Sequence, residues 1–303
     1  MKNPILLIVM LAIFTISPNA QDMFEAKQLT FDPAQEGFAT WSPDGKSIIF
    51  QHTEFNDTAG KNGLWKINSD GSEAVQVFKG LAEHAQWSPD SRYIVFDADT
   101  GGSIKLIPAE GGKPIKFLPD SIYINKGGLP CWSPDASEIA FKDSGYSLCV
   151  YNLKTGNVTR VFYKKDMVPL PGCWSEDGRY ILIALMNRKT RESTIWKISR
   201  DGKGRKQITG HLKNFYRYIA LSPDGSLLIY GVLEGRYVGL YIMSSEGGIS
   251  LPLSVTSQAH NEAASWSPDG KKIAFTSTRS GSFDIWIMNL NIKQIKNELQ
   301  LLN

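Results

Sequence analysis

The sequence predicts an all-β protein, a six-bladed β-propeller of four-stranded blades whose ring is closed by an N-terminal strand joining the C-terminal blade. Three observations predict it. One ten-residue phrase recurs six times, as WSPDGKSIIF, WSPDSRYIVF, WSPDASEIAF, WSEDGRYILI, LSPDGSLLIY and WSPDGKKIAF. Its copies begin at Trp41, Trp87, Trp132, Trp174, Leu221 and Trp266, in steps of 46, 45, 42, 47 and 45 residues. That spacing suits a propeller blade and exceeds that of the helical ankyrin and tetratricopeptide repeats. Between copies, apolar residues alternate with period two and no helical period emerges.

The first element is a leader. Residues 1–20 carry one Lys, an apolar run from Pro4 to Ile16, and then small and polar residues, the layout of a secretory signal peptide with a cut expected after Ala20. The run is shorter than the roughly 20 residues that span a bilayer, which argues against the alternative of an uncleaved anchor. Residues 21–303 then form a single propeller domain. Its opening segment AKQLTF matches the outer strand RKQITG of a later repeat, whereas the last repeat trails into NIKQIKNELQLLN. Residues Lys27 to Phe31 are therefore expected to supply the missing strand of blade six, leaving no open sheet edge between first and last blades.

Within each repeat the order is inner strand, turn, second strand, third strand and outer strand. The motif Trp ends the inner strand. Pro43 presets φ, Asp44 bonds nearby backbone and Gly45 tolerates positive φ, which together make a tight turn. Ile48 and Phe50 then share one face of the second strand, a pattern repeated at Ile94 and Phe96, Ile139 and Phe141, and Ile273 and Phe275. GLWKIN, SIKLIP, SLCVYN, STIWKIS, GLYIM and DIWIMN read as third strands, and AVQVF, PIKFL, VTRVF, RKQITG and ISLPLS as outer ones. Turn chemistry accounts for Ser42, Pro43 and Asp44 without any catalytic role. The motif Trp or Leu is expected to pack on the neighbouring blade, each contributing about 1.5 to 3 kcal/mol.

These lines resemble the WD40-like repeats of the TolB-like PD40 family, and the likeness runs through nearly the whole chain after the leader. The resemblance implies a six-bladed propeller in the bacterial periplasm. TolB also carries an α/β domain ahead of its propeller; with the first motif already at Trp41, none is expected here. The resemblance extends to propellers that front prolyl oligopeptidases, but those need a G-x-S-x-G elbow, and no such pentapeptide occurs here.

Composition narrows the function further. A net charge of +3, with basic residues scattered among acids, gives no electrostatic footprint for nucleic acid. Three cysteines, Cys131, Cys149 and Cys173, make no disulfide framework, and Cys131 and Cys173 fill the small slot before a motif Trp, where buried free thiols are expected. No cofactor is expected.

The candidates for chemistry follow from position in the repeat. Residues just ahead of the inner strands converge on one mouth of the channel: Glu36, Glu83, His84, Asn125, Lys126, Tyr216, Arg217, His260, Asn261 and Glu262. Residues after the second strands join them: His52, Glu54, Asp97, Asp99, Lys142, Asp143, Asn187, Arg188, Glu234 and Arg279. From these, Glu36, Glu83, His84, Tyr216, Arg217, His260, Asn261 and Glu262 are the expected ligand-binding set; a solvated rim would read alike. Glu83, His84, His260 and Glu262 are adequate metal ligands by type, without a diagnostic spacing. The expected function is a non-catalytic periplasmic protein that binds a protein, peptide or glycan partner of the cell envelope at the channel mouth. A metal-assisted hydrolase or lyase acting on a sugar or lactone is the alternative.

Overall fold

Each ten-residue phrase folds into a tight turn held by its own side chains. In the first copy the Ser42 hydroxyl donates to Asp44 Oδ1 over 2.6 Å, the Lys46 amide donates to the same oxygen, and the Ser47 amide donates to Ser42 Oγ. The Ser–Asp bond recurs at 2.6 or 2.7 Å in the other five copies. The motif is thus one piece of backbone scaffolding used six times.

A computed structural model describes residues 24–99, 103–115, 117–119, 128–210, 216–253 and 258–302. The expected leader, and Asn125 with Lys126, lie outside them. The short strand β1 (Ala26–Gln28) comes first. Blade 1 is β2 (Gln35–Trp41), β3 (Ser47–Thr53), β4 (Gly63–Asn68) and β5 (Val75–Lys79). Blade 2 is β6 (Ala82–Trp87), β7 (Tyr93–Ala98) and β8 (Ser103–Pro108). Blade 3 is β9 (Cys131–Trp132), β10 (Glu138–Lys142), β11 (Leu148–Asn152) and β12 (Val158–Phe162). Blade 4 is β13 (Met167–Trp174), β14 (Tyr180–Asn187), β15 (Ser193–Ser199) and β16 (Arg205–Gln207). Blade 5 is β17 (Tyr216–Leu221), β18 (Leu227–Glu234), β19 (Tyr237–Ser244) and β20 (Ser250–Pro252). Blade 6 contributes β21 (Asn261–Trp266), β22 (Lys272–Ser277) and β23 (Asp284–Asn289), and α1 (Ile292–Leu302) follows.

The ring closes as the sequence predicts. Strand β1 pairs antiparallel with β23, Ala26 opposite Met288 and Gln28 opposite Trp286, and the Leu29 amide donates to the Ile285 carbonyl. Two details differ. The outer strand expected from PIKFL is reduced, among the described residues, to a single bridge between Ile115 and Leu106. The tail expected only to be less strand-like forms α1, which buries Ile295 and Leu299 and ties Lys296 to Asp224 at 2.9 Å.

Packing explains the alternation along the second strands. Six apolar clusters lie one between each pair of neighbouring blades, the last joining Ala274 and Ile285 of blade 6 to Trp41, Ile48 and Phe50 of blade 1. Ile48 and Phe50 face the blade behind, whereas Ile49 faces the blade ahead. The motif Trp also acts across these seams: the indoles of Trp87, Trp174 and Trp266 donate to the carbonyls of Thr40, Cys131 and Ala220, each the residue before the motif of the preceding blade.

Candidate functional site

Every inner strand must turn a side chain toward the axis, and the backbone does this with a bulge. Phe38, His84, Leu129, Tyr218 and Ala263 each stand three residues before a motif Trp or Leu, and each has φ between 49° and 53°. Left-handed backbone is costly for such residues, by about 1–2 kcal/mol, and here it re-aims five side chains. Blade 4 departs from the pattern because Pro171, locked near φ −65°, stands at that position. Its bulge falls instead at Gly172, where an added Cβ would lie 2.8 Å from Ile219.

These residues line an axial cavity of about 80 Å³ that receives side chains from all six blades. The volume holds a few waters, or the tip of one inserted side chain. Its walls are largely apolar, from Phe38, Leu129, Pro130, Pro171 and Ile219, with His84 and Tyr218 as polar members. The His84 ring lies 4.4 Å from that of Phe38 and 5.9 Å, stacked, from that of Tyr218.

His84 is held by buried charge. Its Nδ1 lies 2.8 Å from Oδ2 of Asp97, a residue only 1% exposed. Asp97 also accepts the Gly128 and Leu129 amides, which fasten blade 2 to blade 3. Lys142 is buried nearby, and that burial lowers its pKa against the pull of Asp97 and Asp143. An imidazole braced at one nitrogen and directed at an axial cavity can accept or donate a hydrogen bond to whatever enters.

The other expected ligand-binding residues divide. Glu83 and Glu262 are half-buried on β6 and β21, opposite Asp97 and Thr276. Tyr216 and Arg217 lie on β17 opposite Val232 and Gly231. Asn261 is fully buried, accepting bonds from Ser277 and Arg279, a structural position. His260 contacts the rings of Tyr237 and Phe283 at 5.5 and 5.9 Å. Glu36 is buried and bonds His52 Nδ1 at 3.0 Å, and its burial raises its pKa against the opposing Thr30 and His52. Of those of the eight whose side chains are described, His84 lines the axial cavity, and among the described residues Glu83, His84, His260 and Glu262 do not gather into a metal-sized group. Sequence reasoning missed Phe38, Leu129 and Tyr218, which share a backbone angle and not one residue type.

The thiols are inert. Cys131, Cys149 and Cys173 are free, and desolvation pushes all three up, Cys149 and Cys173 to about 12. At neutral pH none is a thiolate nucleophile.

Comparison with known proteins agrees with the architecture. The chain is 28% identical over 172 residues to the Tol-Pal system protein TolB of Francisella tularensis, a stretch that is 55% of this chain and 39% of that one. It spans less than half the length of the curated relatives it matches. TolB from Acinetobacter baumannii superposes with a TM-score of 0.60 at 18% identity, covering 85% of this chain and 64% of that one. An oligogalacturonate lyase from Vibrio parahaemolyticus superposes at 0.58 with 14% identity, covering 88% and 96%. Residues 40–264 match the family model described as the TolB beta propeller domain, PD40, and with six copies of its turn closing one ring, the chain belongs to that family.

Proposed function

We propose that this protein is a non-catalytic envelope propeller that binds a protein or peptide partner at the channel mouth. The observation that carries the reading is the axial cavity, where Phe38 and Tyr218 flank an imidazole braced by a buried carboxylate. A cavity of about 80 Å³ suits one inserted side chain better than a saccharide ring. Exposed aromatics on the same face support a protein partner: Phe31 is 74% exposed and Phe55 100%. The TolB relatives, named for the Tol-Pal system, and the leader-like opening favour a periplasmic setting. No helix among the described residues is long and apolar enough to cross a membrane. Pull-down from an envelope extract tests the reading. A specific partner is expected, with at least about tenfold weaker capture by Arg217→Glu, Glu262→Lys or His84→Ala. Unchanged capture by all three folded variants would place the interface elsewhere.

A second reading is a metal-assisted hydrolase or lyase acting on a sugar or lactone. It is favoured by the Asp97–His84 pair, which is arranged as a general base. It predicts chelator-sensitive turnover of oligogalacturonate or a lactone, abolished in His84→Ala; no turnover with divalent ions supplied removes it.

A further inference from the structure

We infer that a divalent transition ion binds at the seam between blades 6 and 1, held by Asp32, His52 and Glu54. Their ligand atoms all lie within 4.8 Å of one another, and among the described residues no other group of His, Cys, Asp and Glu does this. Asp32 comes from the connection between β1 and β2, His52 from the end of β3 and Glu54 from the start of the loop that follows it. The site therefore lies on the mouth face but belongs to different side chains from those around the axial cavity, and it stands independently of the partner-binding reading.

The chemistry of His52 points to the ion. The ring is only 4% exposed, and Nδ1 lies 3.0 Å from Glu36 Oε1, itself buried. With the Nδ1 proton donated to Glu36, the lone pair of Nε2 faces Glu54 Oε1 at 3.5 Å. A lone pair aimed at a carboxylate, with a second carboxylate beside it, is repulsive until a cation stands between them. The Glu36 contact is also what a metal-bound imidazole requires, a buried carboxylate that fixes its tautomer from behind.

Charge and rigidity agree. Besides Asp32, Glu36 and Glu54, the neighbourhood holds Asp284, buried and close enough to Glu36 to disfavour its ionisation, and Asp57. Among the described residues, Lys61, 45% exposed, is the lysine bridged to the cluster, at 3.2 Å from Glu54 Oε1. The loop carrying Glu54 is pinned, since the Glu54 amide donates to Asn62 Oδ1 and the Lys61 and Asn62 amides donate to Asp57. Asp32 is set by the Ala34 amide. One imidazole with two carboxylates suits Mn²⁺ or Zn²⁺ better than Ca²⁺ or Mg²⁺, and three protein ligands leave positions for water.

Calorimetric titration of the chelator-treated protein with Mn²⁺ and Zn²⁺ tests this. One equivalent is expected, with Glu54→Gln and Asp32→Asn each weakening it at least about tenfold. Lys61→Met is expected to tighten it, since the ammonium competes for Glu54. Both carboxylate variants keep the buried core intact, so the test does not depend on whether His52→Gln folds. Absence of saturable binding below about 1 mM overturns the proposal and assigns the Nε2 position to a proton. Binding unaffected by Glu54→Gln and Asp32→Asn, or abolished by His84→Ala with His260→Ala, also overturns it. None of these outcomes bears on whether a partner is captured at the mouth.

Discussion

At the scale of single residues, the most repeated event in the molecule is a serine hydroxyl closing on an aspartate two positions later. In Asp44, Asp90, Asp135, Asp177 and Asp269 that bond is the largest cause of a lowered pKa, reaching about 2 at Asp135 and Asp177. In Asp224 burial opposes the shift and is outweighed by Ser222, Lys296 and Ser226. A depressed folded-state pKa gives stability that is complete above the unfolded value near 3.8 and lost as pH falls through the folded one. The protein is therefore expected to lose stability steadily between about pH 4 and pH 2, followed by circular dichroism. Ser133→Ala, which removes one of the donors to Asp135 and leaves those of Ser137, is expected to lower unfolding free energy by about 1 kcal/mol in urea titrations. These residues were legible because the turn demands the same types each time. The axial positions were not: Phe38, Leu129, Tyr218 and Ala263 are united only by a left-handed φ that no side chain announces. His84 was read from its position at the mouth, but its buried brace, Asp97, stands on another strand.

At the scale of elements, the short strand β1 does more than its three residues suggest. It completes blade 6, buries Leu29 against Ile285 and brings Thr30 to the Ile285 amide. Deleting residues 21–30 is expected to lower the melting temperature by several degrees in differential scanning fluorimetry, because those bonds and that burial disappear. An unchanged melting temperature would mean the closure contributes nothing. This strand could be read from the likeness of AKQLTF to RKQITG. The helix α1 was harder, since its buried contacts are only Ile295 and Leu299 and its apolar signal is brief beside the strand alternation preceding it. The fourth strand of blade 2 differs in the opposite sense, an apolar segment that, among the described residues, pairs at Ile115.

At the scale of the whole molecule, six interblade clusters make a ring in which every blade depends on two neighbours. Phe141, fully buried between blades 2 and 3, tests the cooperativity. Phe141→Ala is expected to cost about 3–5 kcal/mol and to move one shared unfolding transition, whether followed by tryptophan fluorescence or circular dichroism. Two separated transitions would show that the blades melt independently. The number of blades and their closure could be read from the spacing of the motif, because period and pairing are set by local chemistry. The seam cluster was legible only in part: His52 and Glu54 stand among the mouth candidates, whereas Asp32, in the connection between β1 and β2, carries no repeat position that announces it.

That β1 and β23, first and last strands in chain order, are woven into one sheet has a mechanical consequence. A pull applied between Ala26 and Asn289 loads the antiparallel ladder of β1 against β23 directly, and three residue pairs with the Leu29 and Thr30 bonds to Ile285 resist it. Tension between Ala26 and Asn289 would unzip this clasp before it strained any other blade.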